Sequence, residues 1–268
     1  MQVSTRPQDC LSNFFALHLK IQFWTMSGQQ NRYLKYTNAE EQRSNVRSLF
    51  NNIAPTYDLL NTMLSFGIDK RWRKKAVSEL GIDQHSTILD LATGTGELAR
   101  EALRKYHCTI VGIDPARDML KRTDFRLSTL PGKFSPVEAF GEALPLANKK
   151  FSHAMISYGI RNVSDRPKVF SEIARILKPG GKFAILEFSD PKNKLFAKIY
   201  RFYFHTLLAN IGGLVSGDRD AYTYLPRTVA AFVTPEELAA ECEKAGFQIQ
   251  LIKPMMFGIT TLIILQKK

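Results

Sequence analysis

Cysteine is scarce in this chain of 268 residues, which contains only Cys10, Cys108 and Cys242. None of them belongs to a C-x-x-C pair or to a Cys/His cluster at metal-ligand spacing, so no metal site is predicted. An odd number of scattered cysteines excludes a disulfide framework and is typical of a reducing compartment. We therefore expect a cytoplasmic protein without structural zinc.

Long apolar runs are also missing. The most hydrophobic N-terminal stretch, "LSNFFALHLKIQFWTM" (residues 11–26), contains His18, Lys20 and Gln22, whereas a spanning helix needs roughly 20 apolar residues. It also lacks the small-residue cleavage site that follows the apolar core of a signal peptide. Residues 1–43 are therefore interpreted as a weakly structured extension, in which Met26 is an alternative start of the chain.

Acidic residues are in the minority, with 25 Asp and Glu against 37 Lys and Arg, which gives a net charge of +12. Such a balance fits either nucleic acid or an anionic membrane surface as a partner. The densest basic run is "DKRWRKKAV" (residues 69–77). We interpret it as the solvated face of a helix, with contact to anionic lipid headgroups as the alternative.

What the chain does contain is an alternation of short apolar runs and amphipathic segments. The apolar runs predict strands at residues 87–92, 109–114, 135–140, 152–159 and 178–189. Amphipathic helices are predicted between most of them, and further helices at 45–80 are expected to lie over the mouth of the sheet. This order predicts an α/β fold with a doubly wound parallel sheet.

The alternation stops after Ser189. Residues 194–233 are rich in aromatics, and we interpret them as an inserted substrate cap because a stretch of this length is too long for a plain connector. A predicted helix at 235–246 then leads to two strands joined near residues 254–258, which would add an antiparallel hairpin to the sheet. We therefore predict one seven-stranded domain over residues 44–268.

A glycine turn follows the first predicted strand in "ILDLATGTGELA" (residues 88–99). Gly94 and Gly96 allow the backbone to approach a ligand closely before a helix begins. Asp114 ends the second strand eighteen residues after Gly96, where a carboxylate can accept hydrogen bonds from both hydroxyls of a ribose. This spacing predicts a nucleoside-type ligand at the carboxyl ends of the first two strands.

The same turn also fits the dinucleotide pattern G-x-G-x-x-A, so a nicotinamide-dependent oxidoreductase is a rival interpretation. The predicted C-terminal hairpin favours an S-adenosylmethionine-dependent methyltransferase, because the second half of a dinucleotide sheet is again parallel. The loop "FGEALPL" (residues 140–146) supports this choice, since such methyltransferases hold adenine in the loop after the third strand.

Six blocks of the sequence resemble signatures of the quinone C-methyltransferases that make menaquinone and ubiquinone. They are "YDLLNTMLSFGIDKRW" (57–72), "LDLATGTGEL" (89–98), "GEALPL" (141–146), "ISYGIRNVSD" (156–165), "RILKPGGKFAILEFS" (175–189) and "DAYTYL" (220–225). They occur in the family's order, and the resemblance extends from about Ser44 to the C-terminus.

The resemblance implies S-adenosylmethionine as cofactor. Its implied contacts are the glycine turn and four further positions, namely Gly94, Thr95, Gly96, Asp114, Phe140, Gly141 and Ser157. The chain departs from the family at Phe140 and Gly141, where relatives usually have an acidic or amide residue followed by Ala. That change removes a side-chain hydrogen bond to the adenine amino group, while the Gly141 backbone can still donate to the ring.

The implied reaction is methylation of a ring carbon of a demethylmenaquinol, and a benzoquinol of the ubiquinone pathway is the alternative acceptor. Arg161 and Asn162 are expected to stabilise the phenolate that makes the ring carbon nucleophilic, while Tyr57 and Tyr158 contact the ring or relay a proton. The polyprenyl tail of the quinol is expected to lie in the aromatic insertion or among the N-terminal helices.

Two aspartates, Asp58 and Asp165, are candidate general bases and equally good candidates for helix caps. His153 is interpreted as a residue of the sheet face rather than of the site.

A nucleic-acid methyltransferase is disfavoured. The chain has "SYGI" after the fourth strand, where enzymes that methylate base nitrogens typically carry an Asn or Asp followed by Pro-Pro-aromatic, and it has no Pro-Cys nucleophile motif. We therefore expect a polyprenyl quinol and no nucleic acid as partner, with peripheral contact at the inner face of the membrane. A homo-oligomer stays open, and only turnover excludes a non-catalytic cofactor-binding module.

Overall fold

A computed structural model of the chain describes residues 31–58, 62, 65, 67–191 and 219–268. Seven strands form one sheet: β1 Thr87–Leu91, β2 Thr109–Asp114, β3 Lys133–Glu138, β4 Phe151–Ser157, β5 Leu177–Phe188, β6 Phe247–Met255 and β7 Thr260–Lys267. Their order across the sheet is β3-β2-β1-β4-β5-β7-β6. The pairs among β1 to β5 are parallel, whereas β7 is antiparallel to both β5 and β6. The predicted sheet with its closing hairpin is confirmed.

Helices cover both faces of this sheet. In chain order they are α1 Ala39–Ile53, α2 Asp69–Glu79, α3 Glu97–Tyr106, α4 Arg117–Leu127, α5 Arg166–Ile176, α6 Arg219–Ala230 and α7 Pro235–Lys244. The helices α1 to α4 pack on the first face of the sheet, together with Tyr224 of α6. The helices α5 and α7 pack on the second face.

The central strands are apolar on both faces because both faces are covered. In β4, Met155 packs with the first face, while Ala154 and Ile156 pack with the second, and all three are fully buried. Leu262 and Ile263 of β7 divide between the two faces in the same way. Near-continuous apolar runs of this kind are what a sheet covered on two sides requires.

The N-terminal part of the domain begins earlier than predicted. Helix α1 starts at Ala39, where the side chain of Asn38 accepts a hydrogen bond from the backbone N–H of Glu41 at 2.9 Å, so the predicted boundary between residues 43 and 44 falls inside this helix. Further upstream, Nδ2 of Asn31 donates to the carbonyl of Asp220 at 2.6 Å and to Oγ1 of Thr223 at 2.8 Å. Asn31, the first described residue, is therefore hydrogen-bonded to helix α6.

The predicted aromatic insertion, residues 194–233, is described only in part. Residues 194–218 lie outside the described residues, and α6 forms most of the remainder. No helix in the described ranges is long and apolar enough to cross a membrane.

The basic residues of helix α2 differ in their exposure to solvent. Lys70, Arg71 and Lys74 are exposed, as expected for a solvated face. Arg73 is different, since it is 5% exposed and forms an ion pair with Asp69 of the same helix. The interpretation as a solvated face is therefore wrong for Arg73, because its side chain is buried and pairs with the carboxylate of Asp69.

Candidate active site

A pocket lies at the carboxyl ends of β1, β2 and β4, where α1 approaches the sheet. Its wall combines backbone turns with apolar and aromatic side chains, and the lining residues are Arg43, Val46, Phe50, Tyr57, Leu91, Ala92, Gly94, Asp114, Pro115, Met119, Phe140, Gly141, Glu142, Ile156, Ser157, Tyr158, Gly159, Asn162 and Val163. Seven of the ten predicted site residues are in this set. Thr95, Gly96 and Arg161 are not.

Asp114 is held at the pocket by two backbone donors. Gly94 donates to Oδ2 at 2.9 Å and Ala116 to Oδ1 at 2.8 Å. Because each carboxylate oxygen can accept two hydrogen bonds, both oxygens can still accept from a ligand hydroxyl. Burial raises the pKa of Asp114 to about 6, although the two backbone hydrogen bonds lower it in part. The carboxyl group is therefore mostly ionised at neutral pH and can accept hydrogen bonds from a diol.

Gly96 and Thr95 stabilise the glycine turn but do not line the pocket. Gly96 is the N-cap of α3 in a left-handed conformation with φ of 79°, and a Cβ atom there would lie 2.5 Å from Cγ2 of Thr123. Oγ1 of Thr95 donates to Asp58 at 2.5 Å, and Asp58 also pairs with Arg126. The candidate base Asp58 is therefore engaged by a hydroxyl and a guanidinium.

The loop after β3 forms the opposite wall. The Arg43 guanidinium of α1 lies over the ring of Phe140, 5.7 Å from its centroid. A Cβ atom at Gly141 would lie 3.2 Å from Leu91 and from Val169, which leaves little space for a side chain at this position. Phe140 thus offers an aromatic face instead of a hydrogen-bonding group.

Two residues without a glycine's freedom adopt left-handed conformations at the strand ends. Ala92 follows β1 with φ of 51°, and Tyr158 follows β4 with φ of 57°. Such conformations cost of order 1–3 kcal/mol and cluster at functional sites. Next to them, a Cβ atom at Gly159 would lie 2.6 Å from Cβ of Ala92. The two turns are therefore in direct contact beneath the pocket.

The rings of Tyr158 and Phe188 lie between two guanidinium groups, those of Arg73 and Arg161. The ring centroids of Tyr158 and Phe188 lie 4.4 Å apart, and the guanidinium of Arg73 lies 5.5 Å from the Tyr158 centroid. Arg161 in turn lies 5.5 Å from the centroid of Phe188. Burial raises the pKa of the Tyr158 phenol above its usual value, so this group stays protonated.

The position of Arg161 differs from the expectation that it lies beside the acceptor ring. Its Nη1 donates to Oε1 of Glu187 at 2.8 Å and to the carbonyl of Tyr158 at 2.5 Å, and both side chains of the ion pair are nearly inaccessible. The local sequence cannot indicate this pair, because Glu187 belongs to another strand. Arg161 supports the turn after β4 from behind the pocket wall.

Asn162 and Tyr57 both line the pocket. Asn162 is also contacted by a residue that sequence reasoning missed, since the phenol of Tyr224 donates to its Oδ1 at 3.0 Å. The signal for Tyr224 was present in the "DAYTYL" block, but its partner was not predictable.

The remaining candidates lie elsewhere. Asp165 is the N-cap of α5, with its side chain accepting from the backbone of Lys168 at 3.0 Å. His153 lies in the first half of β4, its Nδ1 within 2.9 Å of Oγ of Ser152. Neither lines the pocket.

The lining of the pocket has groups suited to a nucleoside with a flat aromatic base. Asp114 has acceptors free for a diol, Phe140 supplies an aromatic face, and Gly94 leaves space, since a Cβ atom there would have no neighbour closer than 4.0 Å. A seven-stranded sheet with an antiparallel β7, carrying such a site at its carboxyl edge, is the fold of class I S-adenosylmethionine-dependent methyltransferases. The predicted fold and cofactor are confirmed.

Comparison with known proteins gives the family. Residues 36–267 match the model of the ubiE/COQ5 methyltransferase family. The ubiquinone/menaquinone biosynthesis C-methyltransferase UbiE of Syntrophotalea carbinolica is 44% identical over 81% of this chain and 91% of its own length. The demethylmenaquinone methyltransferase of Thermotoga maritima is 40% identical over 81% and 93%.

A crystal structure of an S-adenosylmethionine-dependent methyltransferase from Thermotoga maritima matches with a TM-score of 0.57 at 20% identity, covering 82% of this chain and 99% of that one. That likeness shows the fold alone. The sequence matches show more: the chain belongs to the ubiE/COQ5 methyltransferase family and is a methyltransferase.

Proposed function

We propose that this protein methylates a ring carbon of a demethylmenaquinol to give a menaquinol. The observation that carries the proposal is the similarity over most of the chain to relatives named for this activity. It is supported by a pocket whose lining combines residues suited to the nucleoside with an amide, Asn162, and aromatic rings.

On the cofactor side, Asp114 accepts hydrogen bonds from the ribose hydroxyls. Phe140 and Gly141 hold adenine by an aromatic contact and a backbone donor, and Ser157 and Gly94 complete the wall. Thr95 and Gly96 act indirectly, since they fix the turn in which Gly94 lies. When bound, S-adenosylmethionine supplies an electrophilic methyl group, so the main task of the protein is alignment.

On the acceptor side, the ring carbon must become nucleophilic. Loss of a proton from a quinol hydroxyl gives a phenolate, whose charge extends onto the ring carbon; that carbon later releases its own proton after the new carbon–carbon bond has formed. Asn162 stabilises the phenolate by donating a hydrogen bond, and Tyr57 contacts the ring. Arg161 acts as a positioning residue, because its charge is balanced by Glu187 and it orients the turn that carries Asn162.

We also propose that the protein contacts the membrane surface to reach its lipid substrate. The exposed residues Lys70, Arg71 and Lys74 of α2 support this contact, because each Lys or Arg near an anionic leaflet contributes about 1 kcal/mol of attraction.

The function is tested by quinone extraction from a host that lacks its own quinone C-methyltransferase. Expression of the chain should convert accumulated demethylmenaquinone to menaquinone, seen as a mass increase of one methylene group. The variant Asp114→Ala, which loses the ribose contact, should leave the demethylated quinone in place. A naphthoquinol that never disappears while a benzoquinol does would assign the protein to the alternative acceptor, and conversion of neither would reject the proposal.

A further inference from the structure

Helix α6 reaches the pocket wall through Tyr224. The residue is 5% exposed, and its phenol donates to Oδ1 of Asn162 at 3.0 Å across 62 residues of sequence. Asn162 ends a short 3-10 turn, Ile160–Asn162, where its backbone N–H donates to the carbonyl of Gly159 at 3.1 Å. Asn162 is therefore held by one hydrogen bond at its backbone N–H and by another at its side-chain oxygen.

The other end of the amide, Nδ2 of Asn162, is not fully buried. No described residue accepts a hydrogen bond from Nδ2, and this atom is not among the buried side-chain atoms that lack a partner in the described part of the chain. Because Asn162 lines the pocket, Nδ2 is the polar group that it presents there. One of the two acceptor sites of its oxygen is taken by Tyr224, whereas both N–H groups of Nδ2 can donate to a ligand.

The hydrogen bond between Tyr224 and Asn162 runs from the phenol to the amide oxygen. Burial raises the pKa of this phenol to about 12, although the positive charge of Arg161 acts against that rise. The phenol therefore stays protonated at neutral pH and keeps a hydrogen to donate to Oδ1 of Asn162.

We infer that Tyr224 is a positioning residue for the proposed methylation, holding Asn162 so that its Nδ2 donates to the quinol oxygen that becomes negatively charged. This role rests on the proposed function. It also gives α6 a task beyond packing, because an oxyanion donor works only when it is aimed before the charge develops.

The test is a double-mutant cycle with Tyr224→Phe and Asn162→Ala, assayed on a reduced demethylmenaquinone with a shortened tail. Tyr224→Phe should lower kcat about 10- to 100-fold, the effect expected when a catalytic donor is misplaced, while KM and the Kd for S-adenosylhomocysteine change less than about 3-fold. In the Asn162→Ala background the same substitution should change kcat less than about 3-fold. Tyr106→Phe, at the end of α3 and outside the pocket, is the matched control and should behave like the wild type.

The outcomes separate the two proposals. Wild-type protein that binds the cofactor but turns over no quinol would reject the proposed function and this role with it. Wild-type turnover with full kcat in Tyr224→Phe, or with the same loss in both backgrounds, would reject the role of Tyr224 alone. A loss that appears mainly in the Kd for S-adenosylhomocysteine would also reject it, because that would be a structural effect on the cofactor side.

Discussion

At the scale of single residues, the most unusual environment belongs to Asp90 at the end of β1. It is 1% exposed, and its Oδ2 accepts a hydrogen bond from Oγ1 of Thr93 at 2.6 Å. Burial raises the pKa of this carboxyl group to about 7. Burial makes the ionised carboxylate costly, and the charge of Arg73 offsets this cost only in part, so Asp90 takes up a proton at a higher pH than an exposed aspartate does.

The substitution Asp90→Asn should therefore stabilise the protein more at high pH than at low pH. A carboxyl group whose folded pKa lies above its unfolded value, about 3.9, contributes stability that is complete below about pH 4 and is lost as the pH rises through about 7. Asn is neutral throughout. The free energy of unfolding of the variant, relative to the wild type, should rise by roughly 1–3 kcal/mol between pH 5 and pH 8, measured by urea denaturation.

A matched control is Asp118→Asn on α4, where the side chain is 53% exposed. This variant should show the same difference from the wild type at both pH values. If Asp90→Asn did so too, the buried carboxyl group would be ionised over the whole range.

The sequence predicts positions at this scale better than roles. Asp114 and Asn162 lie at the pocket because the ends of neighbouring parallel strands meet at one edge, which follows from the order of the strands. Arg161 was expected at the same place, but its side chain is turned away by Glu187, which is 26 residues further along the chain. A partner that distant leaves no trace in the local pattern, and the same holds for Tyr224.

At the scale of elements, the turns that follow β1 and β4 are in close contact at the pocket. Gly159 has no room for a side chain there because of Cβ of Ala92. Its own φ of −116° is one that any residue adopts, so the need for glycine is steric.

Gly159→Ala should lower the free energy of unfolding by about 1–3 kcal/mol, the usual cost of an overpacked site, and weaken binding of S-adenosylhomocysteine. Adding Ala92→Gly removes the opposing methyl group and relieves a left-handed alanine as well. The double variant should recover most of the lost stability and binding, measured by urea denaturation and calorimetry. A double variant as unstable as Gly159→Ala would mean that another contact causes the loss.

Elements were predictable where their cause is local. The first two predicted strands match β1 and β2 to within one residue, because strand limits follow from runs of apolar residues and helix limits from caps such as Thr234 at α7. The start of α1 was missed. Its first turn, "AEEQ", is polar, and its capping residue Asn38 follows a polar stretch without an apolar periodicity.

At the scale of the whole molecule, the net charge of +12 was known from the sequence, but its distribution was not. The basic run of α2 looked uniform, yet the fold withdraws Arg73 into an ion pair and leaves its neighbours exposed. Membrane attraction depends on the exposed charges and their placement, so only the folded chain indicates which residues to test.

Replacing Lys70, Arg71 and Lys74 together by Gln should weaken binding to vesicles that contain anionic lipid, by about 1 kcal/mol per charge or less. The wild-type binding itself should decline as salt is raised, since exposed charges are screened. Sedimentation with vesicles measures both effects. The matched control replaces the exposed residues Arg117, Lys121 and Arg122 of α4 by Gln, which removes the same charge; an equal loss in both variants would contradict a contact through α2.

The hydrogen bonds of Asn31 to Asp220 and Thr223 join residues that are synthesised far apart in time. Synthesis proceeds from the N-terminus, so the pocket-lining residues of β1, β2 and β4 leave the ribosome well before Asp220 and Thr223 do. Asn31 cannot reach its partner Asp220 until the 189 residues that follow it have been translated. The segment that begins at Asn31 is therefore anchored to α6 late in synthesis.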